Sequence, residues 1–279
     1  MSSRTEALIR LFRDDDPSTV GLVKEQLVTQ GEEILPEMRE LLGADSAIVA
    51  AHAQEVLQEI AGRKASAVLE EMFAKGGDLD WEEVSILVST ALMPWVAPED
   101  LTSRLDEWGT ELKKRLKAGG EDPLKVVTDY LHGDLDFTGN AEDYYNHENS
   151  ILASVMENRK GTPLSLSLLY RFVAKRAGLQ IEGVNLPGHF LARLGESFFD
   201  PFHDGRVLDL ADCADILARQ GRELEDEHLE TPGSREVVAR MLANLAHAYT
   251  FEEFDWEKRM VDRWLGLLTG AERDDNHED

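Results

Sequence analysis

The sequence predicts an α+β protein that is predominantly helical. Three observations carry this: helical periodicity over roughly the first 116 residues, an almost wholly apolar helix at 163–177 followed by short alternating segments, and a closing pair of helices. With 279 residues, 42% hydrophobic and 30% charged, the chain has the composition of a globular protein with room for more than one core.

The elements follow in order. "TEALIRLFRDD" puts Ala7, Leu8, Leu11 and Phe12 on one helical face. "DDDPSTVGLVKEQLVTQG" supplies capping acids, a proline at a helix start and a closing glycine. "EEILPEMRELLGADSAIVAAHAQEVLQEIAG" predicts one helix up to Gly43, a cap at Asp45 and Ser46, and a second helix ending near Gly62. Short helices joined by Gly, Asp and Pro turns suggest stacked antiparallel pairs, and "DDDPSTVGLVKEQLVTQGEEILPEMRELL" resembles HEAT-type repeats. The helical period resumes from Trp81 to Leu116, with breaks forced by Pro94 and Pro98. "KAGGEDP", residues 117–123, reads as a linker after a helical segment spanning 1–116.

Beyond it the texture changes. "DPLKVVTDYLHGDLDF" begins a helix, "TGNAEDYYNHENS" is a polar loop, and "ILASVMENRK" is a further helix. "PLSLSLLYRFVAKRAG" is apolar around most of its circumference, which predicts a central helix covered on all sides. "QIEGVNL", "HFLARL" and "SFFDPF" alternate well enough to predict three short antiparallel strands. These elements make up a domain at 124–232. Residues 233–269 return to paired helices joined near Phe251, and 270–279 form an acidic tail.

The formal charge of −26 opposes binding to phosphate backbones or anionic lipid, so neither nucleic acid nor membrane is expected as a partner. A single cysteine and the absence of a signal-like start point to the cytoplasm. The same charge favours basic protein partners if it collects on one face.

The stretch "FTGNAEDYYNHENSILASVMENRKGTPLSLSLLYRFVAKRAGLQIEGVNLPGHFLARLGESFFDPF" closely resembles the SirB family, a branch of the transglutaminase-like, papain-related superfamily. Asn140, Tyr144, Asn149, Gly161, Pro163, Ser165, Gly188, His189, Arg193 and Asp200 carry much of that likeness. The final helices are similar to a tetratricopeptide-like pair. The resemblance implies a transglutaminase-like core flanked by helical repeats. In active members of the superfamily a cysteine begins the central helix, a histidine stands on one strand and an aspartate on the next. Helix dipole and imidazolium stabilise the thiolate, and the carboxylate orients the imidazole.

His189 and Asp200 fit the last two roles in order. The cysteine position is Pro163, which has neither a nucleophile nor an amide hydrogen. Ser165 or Ser167 could approach His189 only if the pattern slips by one turn, and "PLSLS" lacks the glycines of a nucleophile elbow. Cys213 lies among Asp209, Asp212 and Asp215, which disfavour a thiolate. The expectation is therefore a non-catalytic protein that binds a protein or peptide, with no cofactor and no metal. The alternative is a hydrolase or acyltransferase in which Ser165 attacks, His189 is the general base and Asp200 orients it.

Blander readings stand beside these. His189 serves equally as a buried, hydrogen-bonded structural residue. Asp200 before Pro201 is equally a turn former. His189, His203 and Asp204 lack HExxH or CxxC spacing and read as a solvated turn. "DLDFTGN" starts like a calcium loop, but Tyr145 occupies the closing glutamate position. Asn149, Asn158 and Arg193 read as caps or loop ties, and Trp256 and Trp264 as ordinary core.

Overall fold

The computed structural model describes residues 3–14, 16–251 and 255–271. The acidic tail therefore lies, from residue 272 on, outside the described residues. The chain forms two compact units, one of residues 1–71 and 87–98, the other of 72–86 and 99–279. Segment 117–123, expected as the domain boundary, falls within the second unit.

Helices run in chain order as α1 (Ser3–Arg10), α2 (Pro17–Val28), α3 (Leu35–Leu41), α4 (Ala47–Leu57), α5 (Arg63–Lys75), α6 (Trp81–Leu92) and α7 (Pro98–Ala118). Asp16 caps α2 by accepting from the Ser18 amide at 3.0 Å, next to Pro17 at the first turn. The first unit buries Phe12, Val23, Leu27, Ile34, Met38, Val49, Ala53, Val56 and Leu57 in one core, with Trp95 packed against it. The helix break expected at Gly62 does not occur. A wide turn at Gln58–Gly62 joins α4 to α5 without interruption, because the Gln58 side chain folds over Gly62 where a Cβ would stand 2.6 Å from its Nε2. Gln58 Nε2 also donates to the Ala91 carbonyl at 3.3 Å.

In the second unit, Asp122 caps α8 (Pro123–Thr128), which widens into a turn at Asp129–Asp134. Next come β1 (Thr138–Gly139), α9 (Leu152–Asn158) and β2 (Lys160–Gly161), with β1 and β2 pairing in parallel, Thr138 opposite Lys160 and Gly139 opposite Gly161. The central helix α10 (Pro163–Ala177) is buried on nearly every face, as its composition predicts, and stops at Gly178 with φ +91°. Its half-buried basic residues are engaged. Arg171 stacks over Trp81 at 4.6 Å, and Arg176 holds Glu82 through both terminal nitrogens at 2.8 and 2.7 Å.

Against α10 lies a four-stranded antiparallel sheet, β3 (Ile181–Val184), β4 (Leu191–Leu194), β5 (Ser197–Asp200) and β6 (Arg206–Leu208), in sequential order. The fourth strand is one more than expected, and with three residues, two of them exposed, it is too short to show alternation. Then α11 (Leu210–Ala218) is followed by α12 (Ser234–Thr250) and α13 (Asp255–Thr269), which pack together. Trp264 is buried in accord with expectation, whereas Trp256 is exposed.

Candidate functional site

The site is built at the ends of β4 and β5. Strand register sets Ala192 opposite Phe199, so the turn entering β4 lies beside the residues leaving β5. In that entering turn the His189 amide bonds the Leu186 carbonyl at 3.1 Å, and Gly188 adopts φ +70°. A side chain at 188 would meet both that conformational penalty and the Gln220 amide, 1.9 Å from an ideal Cβ.

Asp200 ends β5 and is almost fully buried. Its Oδ1 accepts from the amides of Phe202 at 3.0 Å and His203 at 3.4 Å, capping the 3-10 turn Pro201–His203. Its Oδ2 takes two imidazoles, His189 Nε2 at 2.6 Å and His203 Nδ1 at 2.7 Å. Facing a carboxylate, each of these ring nitrogens carries the hydrogen. Burial pushes the Asp200 carboxyl up, but the bonds and charge of the two histidines outweigh it and hold the group below the usual carboxylate range. His189 is thereby locked in one orientation, its ring edge-on to Phe202. Asp200 thus caps the 201–203 turn through Oδ1 and bonds the His189 imidazole through Oδ2.

This pair opens on a cavity of about 550 Å³ lined also by Gly188, Arg206, Leu208, Asp212, Asp215, Ile216, Arg219 and Gln220. Of the predicted site residues, His189, Asp200 and Gly188 meet here.

Ser165 does something else. Its Oγ donates to the Asn149 carbonyl at 2.6 Å and accepts from the Thr162 amide at 2.9 Å, while the Ser165 amide bonds Thr162 Oγ1 at 3.2 Å. This is a reciprocal capping box at the start of α10, with Pro163 in the first turn. Gly161 makes room for it, since a Cβ there would stand 2.6 Å from Ser165 Oγ. Ser167 Oγ donates to the Pro163 carbonyl at 2.8 Å. Among the described residues, neither serine nor Cys213 hydrogen-bonds His189, so the expected alternative of Ser165 activated by His189 is not assembled. Cys213 is enclosed by Val184, Leu186, Leu191 and Leu217, and burial, then Asp212 and Asp209, push its thiol up. S165A is expected to cost about 1–2 kcal/mol in denaturant unfolding, the scale of a lost cap and buried hydrogen bond.

The remaining motif residues make the following contacts. Asn140 Nδ2 bonds Asn149 Oδ1 at 3.0 Å, and Asn149 Nδ2 bonds the carbonyls of Asp143 and Tyr144, so the two amides brace the 140–149 loop. Arg193, read as a cap or loop tie, does not line the cavity. It pairs with Glu182 across the β3–β4 ladder at 2.6 Å and reaches the Leu229 carbonyl at 3.3 Å. Tyr144 packs edge-on against Phe202 at 5.9 Å and Tyr145 at 5.3 Å.

Residues 203–204 do form an exposed turn, and it carries a side-chain cluster that their linear spacing does not announce. His203 is exposed but tied to Asp200, and His189, Asp200 and His203 offer three ligand atoms all within 4.8 Å of one another. Asp204 is turned elsewhere, accepting from Thr138 Oγ1 at 2.9 Å. Linear ligand motifs cannot detect this cluster, because strand pairing brings position 189 to position 200.

A central helix packed on an antiparallel sheet, with histidine and aspartate at consecutive strand ends, defines a transglutaminase-like domain. Residues 99–243 match the Transglutaminase-like superfamily, and the chain belongs to it. It is 36% identical to a UPF0162 protein of Xylella fastidiosa over 52% of this chain and 57% of that protein. A UPF0162 protein of Vibrio cholerae is 28% identical over 42% of the chain and 46% of its own length. F-box only protein 21 of Mus musculus is 31% identical over 60% of this chain and 28% of that protein. The chain thus spans a little over half the length of the first of these relatives and about a quarter of the last. No solved structure matches it. No helix among the described residues is long and apolar enough to cross a membrane.

Proposed function

We propose that this chain is a transglutaminase-like pseudo-enzyme of the SirB branch that works in the cytoplasm by binding a basic protein or peptide. In this reading the N-terminal helices act as HEAT-like repeats, and α12 with α13 as a tetratricopeptide-like pair. The observation that carries it is the pairing of an intact His189–Asp200 dyad with a helix start whose Pro163 offers no nucleophile and whose Ser165 hydroxyl is spent on Asn149.

A binding surface adjoins that dyad. From His189 a chain of ring contacts passes through Phe202, Tyr144 and Tyr145 to Phe251, with neighbouring centroids 4.9–6.4 Å apart. Tyr144, Tyr145 and Phe251 are exposed at 40%, 52% and 62%. Exposed aromatics in one row supply contact area and cation–π sites at small entropic cost, and the −26 charge favours lysine- and arginine-rich ligands.

Selection of the full chain against a displayed peptide library at modest salt tests this. Enriched basic peptides should bind wild type and lose at least about tenfold in affinity to a Tyr145→Ala, Phe251→Ala double variant. No enrichment, or equal binding by the variant, would overturn the reading, as would phosphonate labelling of Ser165 accompanied by ester turnover.

A further inference from the structure

The geometry points to a binding site for a divalent first-row transition-metal ion, of which zinc is the reference case, formed by His189 Nε2, Asp200 Oδ2 and His203 Nδ1 with one coordination position open to the adjoining cavity. This goes beyond the peptide-binding reading and does not depend on it.

Two imidazole nitrogens and one carboxylate oxygen form a donor set suited to zinc and its neighbours, and three protein ligands plus an open position is the pattern of an accessible site. Here the three donor atoms lie within 4.8 Å of one another, both nitrogens converging on a single oxygen. The second carboxylate oxygen is already occupied. Asp200 Oδ1 is held by the Phe202 and His203 amides, which fixes the group and aims Oδ2 at the two rings. Such outer bonds orient a ligand before the ion arrives.

In the metal-free protein the two ring N–H groups fill the place an ion would take. Uptake exchanges them for two metal–nitrogen bonds: the hydrogen of each neutral ring moves from the nitrogen facing Asp200 to the other ring nitrogen, and the freed lone pair binds the ion. The donors must then spread. Metal–ligand bonds of about 2.0–2.1 Å in a tetrahedral array set donors roughly 3.3 Å apart, against 2.6 and 2.7 Å here. The fold allows this on one side. The side chains of His189 and Asp200 are 14% and 5% exposed, whereas that of His203 is 62% exposed on a short turn and can swing outward. The open position faces a cavity of about 550 Å³, large enough for a water molecule or for a donor group of a bound molecule.

The test uses the full chain freed of metal by a chelator and then dialysed. Zinc is titrated by calorimetry, and cobalt(II) is followed by its visible absorption. One equivalent should bind, with the intense visible bands of low-coordinate cobalt. H203A, whose side chain is largely in solvent and so leaves the fold intact, should weaken zinc binding at least about tenfold. H228A, a histidine outside this cluster, should leave it unchanged. A chain that takes up no stoichiometric zinc, or that binds it equally well as H203A, would sink the assignment. Binding lost in H228A but kept in H203A would likewise place the metal elsewhere.

Discussion

Asp200→Ala is expected to lower the stability of this protein by about 3 kcal/mol, the largest loss expected from any single polar truncation at the site. The carboxylate satisfies four donors: two backbone amides through Oδ1 and two imidazoles through Oδ2. Exposed His203 regains water when its partner goes. The buried Phe202 amide does not, an orphaned buried donor costs about 1–3 kcal/mol, and the His189 ring, on the cavity wall, regains water only in part. For a chain of this size that corresponds to a Tm lower by roughly 6–12 °C. Asp200→Asn should fall between, because its amide oxygen still caps the 201–203 turn while its NH2 group meets ring nitrogens that must change tautomer to accept. Chemical denaturation of the three proteins at one pH is the measurement. If Asp200→Ala lies within about 0.5 kcal/mol of wild type, the turn is held by something other than this carboxylate.

The ordering of residues in the sequence already contained the dyad. A histidine before one short strand and an aspartate at the end of the next can meet only if the strands pair as neighbours, and short connections make that the default. The central helix was equally legible, since a segment apolar on all sides has to be enclosed. What escaped was decided by side chains choosing partners across space. Ser165 reads identically as a nucleophile or as a cap until its hydroxyl is seen to donate a hydrogen bond to the Asn149 carbonyl. His203 sits three residues from Asp200, a spacing that means nothing on a strand and becomes a contact only because a 3-10 turn curls the chain back. Gly62 carries the usual mark of a helix end, yet the glycine instead admits the Gln58 side chain, a use that local propensity does not encode. Strand β6 was missed for want of length.

Gly139→Ala is expected to cost about 2–3 kcal/mol, the range for forcing a methyl group into a packed site with rigid walls. An ideal Cβ at 139 would stand 2.4 Å from the Phe202 carbonyl oxygen and 2.5 Å from its ring Cδ2. Neither neighbour yields cheaply. The Phe202 amide is bound by Asp200, and its ring lies between Tyr144 and His189. On the other side Gly139 is pinned through the parallel β1–β2 pair, where the Thr138 amide bonds the Arg159 carbonyl at 3.0 Å and the Asn140 amide the Gly161 carbonyl at 3.1 Å. Relief therefore requires that β1 leave β2 or that the 201–203 turn lift from Asp200. The second route separates His203 from Asp200, so Gly139→Ala should also weaken zinc uptake at least about tenfold, although residue 139 offers no ligand atom. Gly133→Ala is the matched control. Its added methyl meets nothing within 4 Å, and stability should stay within about 0.5 kcal/mol of wild type. Equal stabilities for the two alanine variants would mean that the turn slides freely over β1, and the histidine–aspartate cluster would then owe nothing to the glycine beneath it.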